Sequence, residues 1–171
     1  MIVIGIDPGS SGALVALRDD GGYLAHLAMP TIKVGTKTRV NGAAVSAFIH
    51  CLMERHPTAP LHCYLEQVGS MPGQGVSSMF TFGHAAGLVE GVVTGAGLPI
   101  TLVTPQAWKK SAGLIGSDKD AARSRAIQLF PALRALDAKG KGQALADAIL
   151  IARHGLGLRV AVNETDAKEP K

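Results

Sequence analysis

Long apolar runs, a cysteine framework and dense charge are all missing from this chain of 171 residues. No apolar stretch reaches the ~20 residues that a bilayer crossing requires, so no membrane attachment is expected. The apolar run at the N-terminus is short and is broken at once by Asp7, so it does not read as a signal peptide. Cys51 and Cys63 are the only cysteines, without a CxxC or a Cys/His spacing suited to zinc. Both lie in apolar surroundings and read as reduced, buried residues of a cytoplasmic protein. Charged residues make up only 18% of the chain, which argues against extensive disorder. There is no internal repeat and no linker, so the length implies one domain. At 47% hydrophobic the chain can build a core. A net charge of +4 and a pI of about 9.3 suit a polyanion partner without establishing one.

The pattern along the chain is α/β. Met1 to Ile6 is a β-branched apolar run, the mark of a strand buried on both faces. Asp7-Pro8-Gly9-Ser10-Ser11-Gly12 ends it with turn residues, and Ala13 to Leu17 reads as a second strand. Asp19-Asp20-Gly21-Gly22 is a hairpin signal, after which Tyr23 to Met29 returns as a third strand. Ile32 to Arg39 is polar and basic and is expected to be a mobile loop. Asn41 suits the N-cap of a helix to Arg55, and Leu61 to Glu66 is another strand. Gly69 to Gly75 is a loop, Ser77 to Ala96 a long helix, and Leu98 to Val103 a strand. Thr104-Pro105 opens a short helix. Asp118 is expected to cap a helix to Phe130, and Lys141 to His154 to form the last helix. Residues 1–156 form the expected domain, with 157–171 a flexible tail. Three strands in a meander, followed by alternating helix and strand, predict a mixed five-stranded sheet flanked by helices.

Three acids stand out by position. Asp7 and Glu66 each end a buried strand, and Asp147 lies in a helix among Ala, Leu and Ile. Taken singly, each has an ordinary role: a turn former, a strand-exit surface residue, a solvent-facing helix position. Together they fit a site. Adjacent strand ends of an open α/β sheet converge on one edge, where ligands bind, and a helix packed there can add a third carboxylate. Clustered carboxylates repel unless a cation neutralises them, and hard oxygen ligands select Mg²⁺ or Mn²⁺. Two such ions can activate a water and stabilise the leaving oxygen of a phosphodiester.

The segments Ile4-Gly5-Ile6-Asp7-Pro8-Gly9 with Gly12, Leu65-Glu66-Gln67-Val68, and Ala146-Asp147-Ala148-Ile149-Leu150-Ile151-Ala152 resemble, in this order, the RuvC Holliday-junction resolvases, which have the RNase H-like fold. The resemblance runs from Met1 to about His154. It implies a homodimeric endonuclease that binds a four-way DNA junction and nicks paired strands with Mg²⁺ (Mn²⁺ substituting), two ions per active site, held by Asp7, Glu66 and Asp147. The family usually carries a fourth ligand one helical turn before the last Asp, and here Ala144 stands there. Gln143, four residues before Asp147, can hydrogen-bond a metal-bound water but supplies no charge, and Asp137 is a further substitute. The departure suggests a divergent, phage-type branch.

Resemblance also marks Lys109 and Lys119 as basic residues near the scissile phosphate, with Lys119 the closer match and a catalytic role implied for it. Lys110, Arg123 and Arg125 extend the basic surface, although single lysines and arginines are most often simply solvated. Trp108, the only tryptophan, is expected to pack in the core, with base stacking as the other option. Where the family inserts an aromatic at the junction centre, Met71 is the nearest bulky apolar residue here. Gly83, Gly87, Gly91 and Gly95 recur at i+4 and form a small-residue ridge. That ridge serves either close packing on the home sheet or a dimer interface, and neither His84 nor Glu90 beside it reads as a ligand. Rival functions are cleavage of other branched DNA or RNA–DNA hybrids, and a degenerate module that binds junctions without cutting them. No helicase partner can be named.

Overall fold

The computed structural model describes residues 1–69, 73–118 and 120–166, the last eight of these as backbone only. Strands β1 (Ile2–Asp7), β2 (Ala13–Arg18) and β3 (Tyr23–Ala28) form an antiparallel meander, and β6 (Leu61–Glu66) and β7 (Ile100–Val103) extend it in parallel. The sheet order is β3-β2-β1-β6-β7, the mixed five-stranded sheet predicted from the pattern. β1 lies at its centre, as its unbroken apolar run requires.

Side-chain parity splits the core in two. Ile2, Ile4 and Ile6 of β1 pack with Leu61, Cys63 and Leu65 of β6 beneath α1 (Gly42–Arg55) and α2 (Val76–Gly95). Val3 of β1 and Tyr64 of β6 face the other way, beneath α3 (Pro105–Ser111), α4 (Ala121–Leu129) and α5 (Lys139–Asp166). Asn41 caps α1 by accepting from the Ala44 amide at 3.3 Å, and Thr104 caps α3 by accepting from the Ala107 amide at 3.2 Å. Of the two free cysteines expected to be buried, Cys63 is, and burial pushes its thiol up to about 12, while Cys51 is only half-buried.

Several elements differ from expectation, most ends by one or two residues and some by more or in kind. Ile32 to Arg39 is an antiparallel ribbon, β4 (Thr31–Val34) and β5 (Lys37–Val40), rather than a loop, closed at Gly35 with φ 61°. Ile32 and Val34 alternate with Thr31 and Lys33, but all four are exposed, so this short alternation marks no buried face. β7 begins at Ile100, not Leu98. Asp118 does not cap α4; its Oδ1 accepts from the Asp120 amide at 3.0 Å in the turn before the helix, and a 3₁₀ turn at Arg134–Asp137 follows. α5 does not stop at His154 but continues to Asp166, past Gly157.

Candidate active site

Parity along the two central strands decides where the acids point. Asp7 shares a face with Val3 and Gly5, and Glu66 with His62 and Tyr64. Ile6 pairs with Leu65 in parallel register, so the next residues, Asp7 and Glu66, leave the sheet side by side on the α5 face. α5 lies directly on β1 because Gly5 has no side chain: a Cβ there would collide with the Ala148 carbonyl and the Ala152 amide. Gly155 makes the same allowance for the Tyr64 ring. That seating carries Asp147, next to Ala148, to the edge where the strands end.

Each carboxylate is held at one oxygen. Asp7 Oδ1 accepts from the Gly9 amide at 3.1 Å, inside a turn that closes with Gly12 amide to Gly9 carbonyl at 2.8 Å. A Cβ at Gly12 would strike the Asp7 carbonyl and carboxyl, so this glycine lets the turn fold over the acid. Glu66 Oε1 accepts from the Trp108 indole N–H at 2.9 Å. Asp147 Oδ1 accepts from Gln143 Nε2 at 3.0 Å. Burial raises all three carboxyl groups above their usual range, and Asp147 is pushed up to about 7 by burial and then by the charges of Asp7 and Glu66. Asp7 likewise raises Glu66. Lys109 opposes the effect at Glu66 and Asp147, which places its ammonium by the same site.

Among the described residues, no three His, Cys, Asp or Glu side chains close around one point as they stand. A hydrated Mg²⁺ needs no such cage, since it is usually held by one or two carboxylates and keeps several waters. The donor set suits such an ion: three carboxylates, of which Asp7 raises Glu66 and both raise Asp147, and the Gln143 Oε1 atom, buried without a hydrogen-bond partner among the described residues. Asp7, Asp147, Gln143 and Ala144 line one cleft, and Lys109, Trp108 and Asp147 line its neighbour. Asp137 lines neither cleft and is paired with Arg134 at 3.5 Å on the surface.

The basic residues divide. Lys109 lies over the Trp108 ring at 5.3 Å and is exposed, as is Lys110 beside it. Arg125 is exposed and donates to Gln128 at 3.2 Å. Arg123 turns inward instead, half-buried, its guanidinium 3.5 Å from the Leu136 carbonyl. Lys119 and Met71 lie outside the described residues. Gly83, Gly87, Gly91 and Gly95 are exposed, and a Cβ at any of them would meet nothing within 4 Å; the face of α2 turned to the sheet is Ala85, Val89 and Val93. Close packing on the home sheet therefore does not explain the ridge. Trp108 is buried as expected, but its bond to Glu66 was not foreseen. The signal was available, since a buried indole N–H needs an acceptor.

A mixed sheet with an acid at the end of each central parallel strand and a third on the helix across them is the arrangement of an RNase H-like fold. The family described as crossover junction endodeoxyribonuclease RuvC matches residues 3–154, and the chain belongs to it. A chloroplastic Holliday junction resolvase, MOC1 of Chlamydomonas reinhardtii, is 34% identical over 119 residues, 69% of this chain. The chain spans 13% of that relative's length. Two structures of Thermus thermophilus RuvC share the fold. One, in complex with a Holliday junction substrate, superposes with TM-score 0.63 at 18% identity, covering 94% of this chain and 96% of the other; the second gives 0.56 at 18%, covering 94% and 97%. No described helix is long and apolar enough to cross a membrane.

Proposed function

We propose that this protein is a Mg²⁺-dependent endonuclease that resolves four-way DNA junctions by paired nicks. The observation that carries the proposal is the gathering of Asp7, Glu66 and Asp147 at one sheet edge, where each charge works against the others. These three would hold two Mg²⁺ ions, which supply charge neutralisation and an activated water for phosphodiester hydrolysis. The chain's own part is orientation. Gly9, Trp108 and Gln143 each fix one oxygen of an acid and leave the other for the cleft. Lys109 and Lys110 offer point charges to the DNA backbone. Lys119 joins them on resemblance alone, as the cation beside the scissile phosphate, with Met71 as a lesser contact; Arg123, turned inward, does not. The exposed ridge Gly83, Gly87 and Gly91 is proposed as the homodimer interface, because it admits close approach of a second backbone. Reduced cysteines favour a cytoplasmic setting.

The test is a substrate panel at equal concentration in Mg²⁺, Mn²⁺ or EDTA: four-way junction, flap, fork, and RNA–DNA hybrid. Symmetric nicks in opposing strands of the junction are expected, in metal only. Preference for the flap, fork or hybrid would replace the substrate. Tight junction binding without nicks would identify a binding module, the outcome that apolar Ala144 favours.

A further inference from the structure

We infer that Gln143 is a fourth polar donor of this site, acting through both ends of its amide; the inference rests on the metal-dependent reading above. The amide is oriented by its neighbour. Gln143 Nε2 donates to Asp147 Oδ1 at 3.0 Å, and in the ionised form that holds a cation this carboxylate can only accept, which keeps the amide in that orientation. Oε1 then points the other way, and it is buried without a hydrogen-bond partner among the described residues. A buried acceptor left unpaired costs on the order of 1–3 kcal/mol, so its retention beside three acids calls for a donor supplied from the cleft.

The surroundings narrow that donor. Gln143 lines both clefts that meet at Asp147, one shared with Asp7 and the other with Lys109 and Trp108. The next residue, Ala144, is apolar and buried, and offers nothing to either cleft. Lys141 is exposed on the same turn, but an ammonium free in solvent loses hydration by moving inward. A water in the hydration shell of a divalent cation is a strong donor, and Mg²⁺ keeps several such waters. The turn is also fixed in place: a Cβ at Gly142 would collide with the Leu136 carbonyl, so the first turn of α5 is seated against the 3₁₀ turn. One amide therefore holds Asp147 through nitrogen and accepts from a cation-bound water through oxygen.

The test uses the full chain without DNA, and titrates Mn²⁺ by electron paramagnetic resonance. Gln143→Met keeps the length and removes both polar ends; its Mn²⁺ affinity is expected to fall at least about tenfold, the usual cost of losing a group that supports metal ligands. Gln143→Glu keeps an acceptor oxygen and adds charge, and is expected to bind Mn²⁺ at least as tightly as wild type. Melting temperatures check folding, and Gln143→Glu decides the matter alone if Gln143→Met does not fold. Wild-type affinity in Gln143→Met overturns the inference, as does a Gln143→Glu loss as large as tenfold, which would reduce the residue to a prop for Asp147. If wild type binds Mn²⁺ and cleaves junctions in both cases, only the role of Gln143 falls. If wild type binds no Mn²⁺, the nuclease proposal falls with it.

Discussion

Asp147 carries two opposed demands: it sits among Ala, Leu and Ile, yet its use depends on charge. With its carboxyl raised to about 7 and Asp7 and Glu66 raised beside it, the metal-free fold holds these protons more tightly than the unfolded chain does. The contribution to stability is fully present below pH ~4, the range of unfolded carboxylates, and is lost as pH rises through about 7. The metal-free melting temperature is therefore expected to drop over that window and to recover with Mg²⁺. Asp147→Asn removes the penalty and should raise metal-free stability at pH 8 by on the order of 2 kcal/mol, read from urea midpoints. Trp108 makes the second residue-scale prediction. Its bond lowers the pKa of Glu66, so Trp108→Phe, which keeps a buried ring, should move the acidic limb of the cleavage profile to higher pH. The acids were legible in the sequence because each is a charge set in or at the end of an apolar run. Trp108's partner was not, since no spacing links positions 42 residues apart.

At the scale of elements, the site depends on how closely α5 approaches β1. Gly5→Ala puts a methyl into the backbone of α5 at Ala148 and Ala152. It is expected to cost about 3 kcal/mol as overpacking, measured by urea unfolding, and to lower Mn²⁺ affinity because Asp147 moves with its helix. The central strands and the caps at Asn41 and Thr104 followed from apolar runs and cap residues. The β4–β5 ribbon did not: its strands are four residues long and mostly exposed on both faces, so the brief alternation from Thr31 to Val34 buries nothing. The far end of α5 was hidden by its glycines: Gly155 and Gly157 are residues that commonly end a helix, yet the helix runs through both to Asp166.

At the scale of the whole molecule, the meander and the parallel extension place β1 centrally, and both faces of the sheet are covered. The α1/α2 side carries the exposed glycine ridge, while the α3/α5 side carries the acids. The most direct measurement is single-turnover cleavage of a synthetic four-way junction by wild type, Asp7→Asn, Glu66→Gln and Asp147→Asn in Mg²⁺ and in EDTA, resolved by strand. Paired nicks by wild type in Mg²⁺ only are predicted, with each variant slower by on the order of a thousandfold or more. Wild-type rates in Asp7→Asn or Asp147→Asn, or cleavage persisting in EDTA, would contradict the account.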